Sequence, residues 1–309
     1  MLRDLEHAHP DRLVGLYGPG TVTWQLAKES VVFVGGGCAA LLQAAHPFVA
    51  QAVHDHSTTK TDLPGRFQRT FLNVFEMVFG DLDAAVKSAK RVHNIHSHIS
   101  GTLPESVGRF PAGTLYEAND EESLLWVHAT LIHTAVRVTE LILGPLDPAI
   151  KDTYWRESHR FAHLFGIPDD LLPATWVDFD HYVRRMWDSD TLGVGAAAAD
   201  ICHFLLEPPR PLVAPAWRWY RTMTGGLLPE RLRAEFGFTW GTRQRTLFDA
   251  SLRALRAVYP RVPRGLRYLP AYVDARRRLQ GKSGRALYGQ LVERAILAGL
   301  QNPLVPTGT

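Results

Sequence analysis

Asn119-Asp-Glu-Glu122-Ser-Leu-Leu-Trp-Val-His128-Ala-Thr-Leu-Ile-His133-Thr-Ala-Val-Arg137-Val-Thr-Glu140-Leu-Ile-Leu143-Gly-Pro145 is the stretch that decides the fold class. It opens on a cap residue, Asn119, with an acid three positions on, and its first-turn acids suit the positive end of a helix. Apolar residues then recur at helical spacing as far as Leu143, and Gly144-Pro145 ends the run. A run of this length is far too long for a strand. The same period governs most of the chain, and alternating β-branched runs bounded by tight turns are nearly absent. The expectation is an all-α protein.

Working outward, helices are expected at about 22–34, 37–55, up to Gly80, 82–100, 147–165, 175–188, 194–206, 214–223, 228–236, 241–258, 265–280 and 283–298. Asp62-Leu-Pro-Gly65 opens the helix that ends at Gly80, and Gly101 stops the one that begins at Leu82. Proline-rich breaks at Glu207-Pro-Pro-Arg-Pro211 and Tyr259-Pro-Arg-Val-Pro263 punctuate the second half. No internal repeat appears. The organisation expected is a loose segment over 1–14, one helical domain over 15–300 and a short tail over 301–309.

The chain has 309 residues, 46% of them hydrophobic and 21% charged, with 34 basic against 31 acidic residues. That composition supports a sizeable core, and a net charge of +3 gives no reason to expect a nucleic-acid partner. Cys38 and Cys202 stand in apolar surroundings without CxxC or zinc-finger spacing, so a reducing compartment is expected. The N-terminus carries acids early and lacks an apolar core, so no secretory signal is read and the expected location is cytoplasmic. Ser30 to His54 has no Asp, Glu, Lys or Arg and is long enough to cross a bilayer. Its glycine run, Gln43, His46-Pro47 and Gln51 argue for a buried helix instead.

Three constellations could carry chemistry. In Arg91-Val-His-Asn-Ile-His-Ser-His-Ile-Ser-Gly101, a turn of about 100° per residue places His96 on the face of Leu82, Ala85, Ala89, Val92 and Ile99. His93 falls at the edge of that stripe and His98 on the far side. An inward imidazole needs a partner, either a backbone carbonyl or a metal. Arg66-Phe-Gln-Arg-Thr70 is the second, with Arg66, Arg69 and Thr70 on one helical strip among Phe67, Phe71 and Val74. Such a strip is either an exposed helix start paired with Asp62 or Glu76, or a binding site for a carboxylate or propionate. A haem asks for one imidazole, an apolar slot and cations for its propionates. One inward histidine, His96, together with the Arg66 strip would supply these.

The third is His46 with His54, eight residues apart on the uncharged helix. Both could look into one pocket as acid-base groups, or each could be structural. His159 and His163 stand four apart but lack an HExxH pattern, and His128 and His133 are five apart and share no face. The basic run Ala275-Arg-Arg-Arg278 with Lys282 and Arg285 reads as a solvated helix face. No Walker loop, Rossmann glycine fingerprint or GxSxG occurs.

Taken in order, Tyr17-Gly-Pro-Gly20, Gly35-Gly-Gly37, Leu41-Leu-Gln-Ala-Ala-His-Pro47, Arg66-Phe-Gln-Arg-Thr70, Val92 to Gly101, Tyr116-Glu-Ala-Asn-Asp120 and Leu125-Trp-Val-His-Ala129 resemble the MpaB oxygenase and rubber oxygenase (latex-clearing protein) family. The resemblance runs over most of residues 15–240. It implies an all-α fold with a globin-like core and, as in the rubber oxygenases, haem b on one proximal histidine, which by motif position is His96. The Arg, Lys or Arg, Thr strip of the family then corresponds to Arg66, Arg69 and Thr70. In rubber oxygenases the middle position is a lysine able to approach the iron, and here it is Arg69.

The expected function is accordingly a haem b-dependent oxidoreductase, an O2-using oxygenase acting on a small apolar substrate with an electron donor as partner. Its alternative is a non-catalytic carrier of haem or a lipophile. Arg66, Arg69, Thr70, His46 and His54 are the expected catalytic groups, and His96, Arg66, Phe67 and Val92 the cofactor contacts.

Overall fold

A computed structural model describes residues 11–56, 73–208, 210–282 and 284. The expected loose start before Asp11, the Arg66 to Thr70 strip with its Asp62 cap, and the helix over 283–298 lie outside the described residues, apart from the exposed Gly284. Helices dominate what is described and the only sheet among the described residues has two short strands, so the all-α expectation is met.

The helices in chain order are α1 Val22–Ala27, α2 Gly36–Ala44, α3 Pro47–His56, α4 Leu82–His96, α5 Glu121–Leu143, α6 Pro148–Leu164, α7 Trp176–Asp188, α8 Ala196–Leu206, α9 Ala214–Leu227, α10 Glu230–Glu235, α11 Thr242–Val258, α12 Arg264–Arg267 and α13 Pro270–Leu279. Residues 73–79 are helical as well. Several expected helices divide. The one over 22–34 becomes α1 and a 3-10 turn over Ser30–Gly35, and the one over 265–280 splits where Pro270 starts a new first turn.

The uncharged stretch makes the largest departure. Its expected single helix over 37–55 is two, and the Ser30–Ala44 and Pro47–His56 arms meet at 97°. Pro47 has no backbone N–H and fixed φ, which ends one helix and begins the next. No single described helix is long and apolar enough to cross a membrane.

The long helix α5 is the centre of the assembly. Its cap is Asp120, one residue later than expected, whose carboxylate accepts from the Ser123 N–H at 2.8 Å. Trp126, fully buried, donates from its indole to the Leu42 carbonyl on α2 at 2.8 Å. Leu41, Leu42, Trp126, Trp155, Phe179 and Met223 belong to the larger of two apolar clusters. The smaller gathers Tyr17, Trp24, Met77, Phe79, Leu82, Ala85 and Tyr272 around the first half of α4.

The glycine run lets three helices meet closely. A Cβ on Gly35 would come within 2.5 Å of the Thr134 methyl and 2.8 Å of a Val138 methyl on α5. On the other side, Gly36 and Gly37 face Tyr220 and Thr224 of α9. Packing with no slack penalises added volume. Gly35→Val is expected to cost about 3 kcal/mol, read as a lower urea midpoint at unchanged slope; a midpoint within error of the parent would show that the helices can part without penalty.

A hairpin absent from the expectations follows α4. Ser100–Thr102 pairs antiparallel with Leu115–Glu117, setting Gly101 opposite Tyr116. Gly101 therefore does more than end a helix, because a Cβ there would lie 2.7 Å from the Tyr116 hydroxyl.

Candidate functional site

Helix α4 presents its candidate histidine at its last turn. Asp81 caps the start, accepting from the Ala84 N–H at 2.8 Å, and Leu82, Ala85, Val86, Ser88 and Ala89 are buried. Further along the same face Val92, His96 and Ile99 are half-buried, while His93, Asn94, Ile95 and His98 are exposed. His96 thus lies on the inward face, at the point where burial thins out. His98 turns back on its own helix, with Nδ1 2.7 Å from the Asn94 carbonyl.

The helical stretch over 73–79 lies alongside. Ser88 donates to the Asn73 amide oxygen at 3.1 Å and Arg91 pairs with Glu76 at 2.7 Å. Glu76 is therefore engaged by Arg91, whatever else it meets. Arg66, Phe67, Arg69 and Thr70 precede this stretch and lie outside the described residues.

The elbow at Pro47 decides the environment of His46. Its ring is 3% exposed and lies against Phe48 and Phe110, with ring centres 5.4 and 5.8 Å away. Nδ1 is buried and has no hydrogen-bond partner. Loss of water around the ring lowers its pKa to about 4, with Asp120 opposing and Arg109 adding to the shift. His46 is neutral at pH 7. Beside the elbow lies a cavity of about 10 Å³ lined by Pro47, Ala50, Gln51, Leu103, Gly193 and Ala197 among others, room for about one water.

His54 has different company. Nδ1 lies 3.1 Å from Asp55 and Nε2 3.5 Å from Asp200 on α8. Asp55 also accepts from Gln51 at 2.7 Å and from the Tyr116 hydroxyl at 2.8 Å, and these donors hold its carboxyl below the usual range although desolvation works the other way. His46 and His54 keep different company: one ring is among aromatics and the other between two carboxylates. The grouping of Gln51 and Tyr116 around Asp55 escaped the sequence reading, because only the hairpin brings Tyr116 to α3.

Two further histidines, His128 and His133, are built into the core. His128 is enclosed by Trp155 and Phe161, with Nε2 3.2 Å from the Ser158 hydroxyl. Burial, with His159 and His163 nearby, lowers its pKa to about 3. His133 lies parallel to Trp176, 6.4 Å between ring centres, and 3.2 Å from Asp180. His163 pairs with Asp169 at 2.7 Å. Among the described residues no three His, Cys, Asp or Glu side chains come together as a metal site. A haem would need one protein ligand and an apolar wall, and what the described residues offer toward it is the half-buried His96 one turn beyond the half-buried Val92.

Two curated relatives, uncharacterized proteins of Mycobacterium bovis and Mycobacterium tuberculosis, are each 29% identical over 151 residues. The match covers 48% of this chain and 58% of each relative, so this chain spans little more than half their length. No solved structure matches significantly. The family model described as ER-bound oxygenase mpaB/B'/rubber oxygenase, catalytic domain, matches residues 23–257, most of the chain, and the protein belongs to that family.

Proposed function

We propose that the protein is an O2-using oxidoreductase that binds haem b through His96 and acts on a small apolar substrate. The observation that carries this reading is the position of His96, half-buried on the inward face of α4 with Val92, the histidine that the resemblance assigns as the proximal ligand. Haem, when bound, supplies the oxygen chemistry, and the protein supplies orientation, dryness and charge.

The residues divide that work. His96 offers a ring nitrogen to the iron, and Val92 and Phe67 exclude water from it. Arg66 pairs with a propionate, and a fork of guanidinium donors suits that carboxylate. Arg69 and Thr70 donate hydrogen bonds to the oxygen substrate. His54, held between Asp55 and Asp200, moves protons between that surface and the interior. His46 is neutral and keeps Nδ1 unpartnered, so that atom is the one left to take a hydrogen bond or a proton.

Hemin titration followed by absorption near 400 nm, a region where the protein alone is transparent, tests the reading. The parent and His98→Ala are expected to develop the same band, and His96→Ala to lose at least about tenfold in affinity. His96→Gly, with its band restored by added imidazole, separates a lost ligand from a lost fold. A band of full strength in His96→Ala overturns the assignment. Dioxygen uptake with a reductant and a hydrocarbon probe then divides turnover from carriage, since a carrier binds haem and consumes no dioxygen.

A further inference from the structure

Positive charge is concentrated at one end of the chain. Residues 243–282 carry eleven basic side chains, ten arginines and Lys282, against Asp249 and Asp274, a net +9. The whole chain is only +3, so the rest carries −6. Near-neutral overall charge conceals a strongly polarised molecule.

Four of these arginines, Arg243, Arg245, Arg253 and Arg256, lie on helix α11. Leu252 is buried and Phe248, Ser251 and Leu255 are half-buried, so these residues form its inner face. The outer face holds Leu247, Ala250, Ala254, Ala257 and Val258, all exposed, with Arg243 and Arg253 among them. Past the helix end the same pattern continues with Arg261, Arg264 and Leu266. Leu247 is 43% exposed, and Val258 and Leu266 are each 60% exposed.

Most arginines of a folded protein are engaged locally, and some here are. Arg267 pairs with Glu29 at 2.9 Å and Arg256 reaches the Leu141 carbonyl. Arg243, Arg253 and Arg264 stand exposed and form no ion pair with a described carboxylate. An apolar strip rimmed by uncommitted arginines is the pattern of a helix lying in the plane of an anionic bilayer, with apolar side chains in the headgroup boundary and cations on the phosphates.

Other occupants fit less well. A second copy joined through the same face would set arginine against arginine. Single-stranded RNA is bound on stacking aromatic platforms, and the outer face of α11 carries none. We propose that the α11 face, continued through Arg261, Arg264 and Leu266, docks the protein on the surface of a membrane rich in anionic phospholipid, without crossing it.

Co-sedimentation with vesicles tests this with the full chain and no cofactor. Binding is expected to phosphatidylcholine vesicles containing about 30% phosphatidylserine, not to phosphatidylcholine alone, and to fall at least about tenfold at about 0.5 M NaCl. Arg253→Glu with Arg264→Glu is expected to weaken binding at least about 30-fold, and Leu247→Ser with Val258→Ser by about tenfold. Lys87→Glu with Lys90→Glu changes net charge equally on the exposed side of α4 and should leave binding within about twofold. Circular dichroism confirms that each variant is folded. Equal binding to neutral and anionic vesicles, no binding to either, or equal loss in the α4 control overturns the proposal. So does tighter binding to single-stranded RNA that survives the Leu247→Ser, Val258→Ser change.

Discussion

Glu29→Ala is expected to destabilise the protein by about 3–5 kcal/mol, the usual cost of leaving a buried charge without its partner. Glu29 is 5% exposed, and Arg267 grips it with Nε 2.9 Å from Oε2 and Nη2 3.1 Å from Oε1. The Tyr259 hydroxyl donates to the same carboxylate at 3.0 Å and accepts from the Val31 N–H at 3.1 Å. Alanine therefore strands a guanidinium and releases a tyrosine. Around this group the backbone is stitched as well, with Leu269 N–H donating to the Lys28 carbonyl at 2.8 Å and Glu29 bridging Tyr268. The loss joins two places 238 residues apart, so it should appear as global unfolding in urea. Glu29→Met with Arg267→Met removes both charges and should recover most of the loss. A single-variant cost below about 1 kcal/mol would place this pair with ordinary surface bridges.

Acid is expected to unfold the protein well before its carboxylates are neutralised. An unfolded histidine takes up a proton near pH 6.5, whereas folded His46 resists until about 4 and folded His128 until about 3. Between those limits the unfolded chain binds more protons, so stability falls as the pH falls through 6.5 and is flat above about 7.5. Each ring contributes a slope of about 1.4 kcal/mol per pH unit, so the two together remove about 4 kcal/mol between pH 7 and pH 5. His159, lowered by burial and by His163, acts in the same direction. Urea unfolding at half-unit pH steps measures the slope directly. His128→Phe keeps a ring between Trp155 and Phe161 and leaves Ser158 bonded to the Trp155 carbonyl at 2.6 Å. Its slope between pH 5 and 6 should be shallower by about 1.4 kcal/mol per unit. An unchanged slope would mean that His128 is not held neutral.

Helical periodicity made most of the fold legible, and the errors have particular causes. Asn119 and Asp120 can both cap, and only packing selects the second. Pro47 after His46 was legible as a disturbance, but whether a proline kinks a helix or restarts it depends on what waits around the corner, here Phe48 against Phe110. Three-residue strands carry no alternation to detect, so the hairpin and its delivery of Tyr116 to Asp55 were invisible. The same holds for Glu157, whose carboxylate accepts from the Val22 and Thr23 N–H groups at 3.2 and 2.8 Å and so caps α1 from 135 residues away. The turn angle of one helix placed His96 with Val92 and Ile99, all half-buried, and left His93 and His98 exposed. The company His54 keeps was out of reach, since Asp200 comes from a different helix.

The glycine run has a mechanical consequence. At Gly35 to Gly37 backbone meets side-chain methyls and hydroxyls of α5 on one side and α9 on the other, with no flexible side chain between to absorb a displacement. Helix α2 leaves that clamp as a stiff rod about 13 Å long, and immediately beyond its far end is His46. A slide of α5 against α9 therefore cannot be taken up where the helices touch. Near the far end of the rod the Trp126 indole of α5 also holds the Leu42 carbonyl, so α2 is tied to α5 at both ends, and the smallest residues in the chain make the elbow at His46 part of one rigid block.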